Sequence, residues 1–148
     1  MALRLSTGTM TALAGTRGLK DIFNGGVIDI YTGGQPAGAN YAETGSKLVR
    51  ISLISGSSAT SGITFGTAAT GLLPKSADVW SGLITLAGVA GYFRLYGTGG
   101  TSGSSATERR IDGNVGVTGS DLVLSNTSLT LNATLTIDQF TLGVPTSV

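Results

Sequence analysis

The chain of 148 residues has no histidine and no cysteine, only three prolines, 6% aromatic residues and 11% charged residues. Each shortage excludes something. Without histidine the chain lacks the side chain that most often moves protons near neutral pH. Without histidine and cysteine it lacks the usual ligands of zinc and of most transition metals. Without cysteine it cannot be a disulfide-stapled secreted scaffold. A free-standing soluble domain carries about a quarter charged residues, and this chain falls well short of that. Its net charge of +1 and pI near 8.1 argue against a dedicated nucleic-acid binder, which needs a basic patch. The only adjacent basic pair is Arg109–Arg110, and Glu108 precedes it. No apolar run approaches the ~18 residues of a membrane helix, so no membrane contact is expected. Residues 1–8 carry one positive charge and no apolar run, so no signal peptide is expected there. The expected compartment is the cytoplasm, or a particle assembled in it.

What the chain does contain is 24 glycines and 41% hydrophobic residues, with a mean hydropathy of +0.30. That apolar content excludes disorder, and the length fits one domain. The apolar residues fall in short β-branched runs between Gly, Ser, Thr and Asn turns. Strands are predicted over 27–31, 48–53, 63–65, 80–86, 90–96, 109–111, 122–124, 129–131 and 133–140. The 80–86 and 90–96 runs are separated by a turn at Gly88 and read as a hairpin. Asp112-Gly113-Asn114 reads as a turn, and 97–106 as a long flexible loop. In the last segment Leu135 and Ile137 alternate with Thr134, Thr136 and Asp138, giving one apolar and one polar face.

Strands in succession without intervening amphipathic helices cannot form βαβ units. The fold class expected is all-β: a single-domain jelly-roll or β-sandwich of about eight antiparallel strands, with a short N-terminal arm or helix. The expected division is residues 1–23 for the arm and 24–148 for the β-domain. One or two helical turns are predicted over 9–14, with Met10, Leu13 and Ala14 on a face, and another over 19–23. The arm is basic before Asp21, since Arg4, Arg17 and Lys20 precede the first acidic residue. It is expected to pack either on its own domain or on a neighbouring subunit.

No motif with a catalytic meaning emerges, so neither an enzyme nor a bound cofactor is expected. Gly45-Ser46-Lys47 inverts the order a phosphate loop requires, and a strand follows it. Gly97 to Gly103 lacks the G-x-G-x-x-G spacing. Asp112, Asn114 and Asp121 supply oxygen atoms that could hold calcium, but Asp-Gly and Asn are ordinary turn residues. The sequons at Asn126 and Asn132 are expected by chance in a chain rich in Ser and Thr. Trp80, Tyr92, Phe93, Tyr96, Phe65 and Phe140 read as core or interface residues, with a sugar-binding platform as the alternative.

The stretch Asp21-Ile22-Phe23-Asn24-Gly25-Gly26-Val27-Ile28-Asp29-Ile30-Tyr31-Thr32-Gly33-Gly34-Gln35-Pro36 resembles a family of small tailed-phage virion proteins. Ala42-Glu43-Thr44-Gly45, Trp80-Ser81-Gly82, the 90–96 run and Arg110-Ile111-Asp112-Gly113 extend the likeness through most of the chain. It resembles the jelly-roll cement, or decoration, proteins that bind outside a capsid of the HK97-like type. The resemblance implies a structural virion protein on the outer capsid surface, assembled in the bacterial host cytoplasm. It implies two partners, the major capsid protein and a second copy of the chain in a homodimer. No direct contact with nucleic acid and no active-site residues are implied. A tail or baseplate structural protein and a carbohydrate-binding sandwich module are the alternatives. The residues expected to contact the capsid are Leu3, Arg4, Leu5, Met10, Leu13, Arg17, Lys20 and Phe23.

Overall fold

A computed structural model of the chain describes residues 3–53 and 61–143. The fold is all-β, with eleven strands and two short helices among the described residues. Strand β1 (Arg4–Leu5) leads into helices α1 (Thr7–Ala14) and α2 (Leu19–Phe23). The β-branched run β2 (Val27–Thr32) and the strand β3 (Lys47–Ile51) follow. Next come β4 (Leu72–Pro74), β5 (Trp80–Leu83) and the long β6 (Gly88–Tyr96). The chain continues with β7 (Arg110–Gly116), β8 (Leu122–Val123), β9 (Ser128–Leu129), β10 (Thr134–Ile137) and β11 (Thr141–Gly143).

The main sheet runs β1-β7-β6-β2-β3, every neighbour antiparallel. β8 extends it beside β7 as the one parallel pair among the described residues, and β9 pairs with the start of β6. β5 continues the surface past β3. Ser52 and Ser81 exchange both main-chain hydrogen bonds at 3.0 Å. β10 then pairs with β5, and β11 with β4.

Side chains alternate across a strand, so β2 sends Ile28 and Ile30 to one face and Asp29 and Tyr31 to the other. The first face makes the core. Ile28, Ile30, Phe93 and Leu95 of the main sheet are fully buried, as are Trp80, Ile137 and Phe140. Phe140 sits at the centre of an aromatic cluster, 5.8 Å from Trp80, 5.5 Å from Phe93 and 6.4 Å from Phe65. The Phe93 contact is edge-to-face and the other two are tilted, and such aromatic pairs add to the burial of large rings. The second face is covered by the connections 33–46 and 97–109.

Three local expectations change. The 80–86 and 90–96 runs do not form a hairpin, because β5 pairs with β10 while β6 lies between β2 and β7. Asp112-Gly113-Asn114 is mid-strand in β7 rather than a turn. Gly113 is there for close packing: a Cβ would lie 2.6 Å from the Phe93 ring. The 63–65 run contributes only an isolated bridge, Phe65 to Lys75.

The N-terminal segment is stitched to the sheet. The Ser6 side chain caps α1 by accepting from Thr9 N–H, an arrangement that suits serine at a helix start. The same hydroxyl donates to the Glu108 carbonyl at 2.7 Å and accepts from Arg110 N–H at 2.9 Å. α1 lies tight against the 97–109 connection, since a Cβ on Gly8 would fall 2.2 Å from the Thr107 carbonyl oxygen. The described part of 1–23 is therefore continuous with the β-domain. Residues 1–2, 54–60 and 144–148, which fall within the expected domain ranges, lie outside the described residues.

Candidate functional site

The covered face of the main sheet holds most of the chemistry. Arg4, Asp112, Arg94, Asp29 and Arg50 occupy one register row across β1, β7, β6, β2 and β3. Their signs alternate from strand to strand, and opposite charges placed directly across neighbouring strands attract. Arg94 and Asp112 are both fully buried and meet through two bonds, Nε to Oδ1 at 2.6 Å and Nη2 to Oδ2 at 2.8 Å. Arg50 makes a matching fork on Asp29, at 2.7 and 2.8 Å, and Lys47 stands 3.9 Å away. Arg4 is exposed at the sheet edge, and its guanidinium donates to the Pro36 carbonyl instead.

Glu43, on the 33–46 connection, closes this face. Its Oε1 accepts from Arg94 at 2.9 Å and from the Tyr96 hydroxyl, and its Oε2 accepts from Gly103 N–H at 2.9 Å. One carboxylate thus ties two loops to the sheet. Burial alone would raise its pKa. The Tyr96 hydroxyl, the Gly103 N–H and the Arg94 cation outweigh that and hold it below the ordinary value of 4.5. Burial, with Glu43 and Tyr31 beside it, raises the Tyr96 phenol. Burial would lower the Arg94 pKa, but the paired Asp112 raises it, so the guanidinium stays charged. Tyr31 stacks on Tyr92 at 5.0 Å, and the Tyr92 hydroxyl donates to the Thr44 carbonyl at 2.6 Å while accepting from Thr44 N–H. Arg110, also fully buried, donates to the carbonyls of Gly103 and Thr101. These groups take up most of one another's hydrogen-bonding capacity, with the buried Arg110 Nε left unpaired. What the arrangement does chemically is hold loops and fix strand register. A shift of β6 by two residues against β7 would set Arg94 against Asn114 or Arg110.

The residues expected at a capsid contact separate into three groups. Phe23 is fully buried in this chain's own core, which removes it from any contact surface. Leu3, Leu5 and Leu13 are half-buried and, with Leu19, Ile111, Leu142 and Gly143, line an apolar groove of about 340 Å³. Met10 is 51% exposed and lies with Tyr41, 60% exposed, on a separate groove of about 570 Å³ between α1 and the two covering loops. Arg17 and Lys20 are exposed on the outside of the helical segment. Arg17 pairs with Asp21 at 3.6 Å, and Lys20 donates to the Gly66 carbonyl at 2.9 Å. The basic character of the segment is thereby partly neutralised.

The other readings meet definite geometry. Asp112 is committed to Arg94, Asn114 N–H donates to Asp121 Oδ2 at 3.1 Å, and Asp121 N–H donates to Asn114 Oδ1 at 2.9 Å. Among the described residues no three acidic side chains gather as a metal site would require. Trp80, Tyr92, Phe93, Tyr96, Phe65 and Phe140 are all buried, so they cannot form a sugar-binding platform. The 97–109 loop is clasped by Glu43 and Arg110 rather than extended.

The charge row was not anticipated from the sequence. Its signal is a single charged residue at the centre of an apolar run for Asp29 in β2 and Arg94 in β6, whereas Asp112 in β7 follows Arg109 and Arg110 and carries no such mark. Comparisons with protein-family models, with curated proteins and with solved structures found no match.

Proposed function

We propose that this chain is a structural virion protein of a tailed phage. In this reading it is a capsid cement, or decoration, protein on the outer surface of an HK97-like head, bridging neighbouring capsomers against internal DNA pressure. Its partners are the major capsid protein and a second copy of itself.

The observation that carries the reading is the distribution of charge. Of an already small set of charged residues, Asp29, Arg94, Arg110 and Asp112 are buried. The outside, 7398 Å² in all, meanwhile exposes Met10, Tyr41, Val79, Val89, Val117 and Leu131 at half or more of their area. Scattered exposed apolar residues are ordinary, but on a surface this poor in charge they mark faces suited to other protein. A standard interface covers about 800 Å² per partner. A subunit that touches a copy of itself and two or three capsid subunits would have about a third of this surface covered. The role needs no chemistry from the site. Modest contacts repeated over a symmetric shell sum through multivalency.

The capsid-facing surface in this reading is the N-terminal side: the leucine groove and the Met10–Tyr41 groove, rimmed by Arg4, Arg17 and Lys20. Because residues 3–14 are bonded into the sheet, the test uses exposed side chains rather than a truncation. Purified chain is added to heads that lack it. Met10→Asp with Tyr41→Asp should weaken binding at least tenfold while leaving the circular dichroism melt unchanged. Undiminished binding would remove this surface from the contact. Density for the chain confined to the tail would overturn the head assignment.

A further inference from the structure

We propose that β10 is a homotypic docking edge, on which a second copy of this chain adds its own β10 antiparallel about a twofold axis through Leu135. The inference deepens the self-association within the reading above, and it is tested without capsids.

β10 pairs with β5 on one side, and among the described residues no strand lies on its other side. The alternation of hydrogen bonding says which groups face outward. Ser81 spends both main-chain groups on Ser52, so Thr136, opposite it in register, bonds nothing there. Ile84 N–H donates to the Ala133 carbonyl, which places 133, 135 and 137 on the inner side. Thr134 and Thr136 therefore present N–H and C=O outward, and both are exposed.

Proteins usually blunt such an edge with Lys, Pro, a bulge or a cover, because it templates pairing with another chain. Among the described residues β10 has none of these. The register with β5 runs without a shift, and no charged residue or proline occurs between Leu122 and Ile137.

The choice of a second copy rests on self-complementarity. With Leu135 on the axis, Thr134 faces Thr136 twice, and Thr pairs are favourable across strands. Ala133 faces the larger Ile137. Asp138, the first charged residue after the strand, faces Asn132 and not another Asp138. Half-buried Leu135 meets the same residue of the copy and loses its remaining exposure. A partner strand carrying charges would find no counter-charge along this edge. A four-residue strand covers less than the roughly 800 Å² of a stable contact, so the interface extends to the segment leading into the strand, where Leu131 is 50% exposed. An isologous twofold contact of this kind is the commonest form of self-association.

The absence of cysteine makes the test clean. Thr134→Cys and Thr136→Cys are made separately and mixed under oxidising conditions. Residues that exchange both hydrogen bonds have Cα atoms about 5.5 Å apart, within the span of a disulfide. The mixture should give a covalent dimer on a non-reducing gel, and neither variant alone should do so. By light scattering the unaltered chain should be a dimer at micromolar concentration, and Thr136→Lys should be a monomer with an unchanged melt. A monomeric unaltered chain overturns the proposal, as does a dimer that the mixed cysteines fail to capture. A monomer in solution whose Thr136→Lys variant no longer binds heads would assign the edge to the capsid protein and also overturn it. Because dimerisation is read without heads, its failure and a failure of capsid binding are separate results.

Discussion

Replacing one member of the Arg94–Asp112 pair should be among the most damaging single changes the chain can undergo. Both side chains are fully buried and share two hydrogen bonds. Asp112→Asn keeps the shape and removes the charge. Arg94 then retains only Glu43, which is 12% exposed and reaches it through one bond. Removing one partner of a buried pair costs about 3–5 kcal/mol, because the other charge is left in a medium that cannot solvate it. Glu43 still compensates in part, so the lower end, about 3 kcal/mol, is expected here. Against a total stability of about 5–15 kcal/mol, that is a large share. With a urea slope of about 2 kcal/mol/M, the midpoint should fall by about 1.5 M. Urea titration followed by the fluorescence of the buried Trp80 reads this directly. Arg94→Met strands the fully buried Asp112 in the same way, so a loss of about 3 kcal/mol is expected there too, while Glu43, which is 12% exposed, can turn to water. Arg94→Met with Asp112→Leu should be milder than the sum of the singles, because no unpaired charge remains. A loss below about 1 kcal/mol for Asp112→Asn, or strict additivity in the double variant, would refute the reasoning.

Three further outcomes follow from the same geometry. The Glu43 pKa is depressed in the folded state, so its contribution is present above the ordinary value of 4.5 and is lost as pH falls through the lower folded value. Glu43→Gln should therefore lower stability at pH 7 and flatten its decline on acidification, as read by urea midpoints from pH 7 to pH 3. Gly113→Ala should cost about 1–3 kcal/mol, because the new methyl meets the Phe93 ring at 2.6 Å and the ring is packed against Phe140; thermal melting measures it. Ser6→Ala removes a helix cap and leaves Arg110 N–H and the Glu108 carbonyl without their partner. A loss of about 2 kcal/mol is expected, and hydrogen exchange at Thr9 and Arg110 should rise most.

The fold was legible where local chemistry dominates. The β-branched run at 27–31, the apolar 90–96 run and both helical turns lie where composition places them. The pairings were less legible because register is a long-range property. Leu83 is joined to Thr134, some fifty residues away, and no turn between 83 and 88 announces it. Asp112-Gly113 carried a strong turn signal that tertiary context overrode, since Gly113 is needed beneath Phe93 and Asp112 opposite Arg94. Phe23 was misplaced for a related reason. In a short helix its apolar side chain suits a partner or a core equally well, and only the packing of α2 on the sheet decides between them. Two members of the charge row, Asp29 and Arg94, could have been read as lone charges of opposite sign centred in apolar strands, but Asp112, close after Arg109 and Arg110, could not. Composition counted those residues as surface charge, whereas the fold uses them inside. Four of the 17 charged residues are therefore spent inside, and the outer surface carries the remaining thirteen.

The central claim is that this low-charge exterior is the mating surface of a subunit in a phage head. Cryo-electron microscopy of the intact virion tests it most directly. The account predicts density matching this β-fold on the outside of the shell, repeated with the capsid lattice and seated between neighbouring capsomers. Density for the chain confined to the tail, or a head whose outer surface lacks it, would contradict the account.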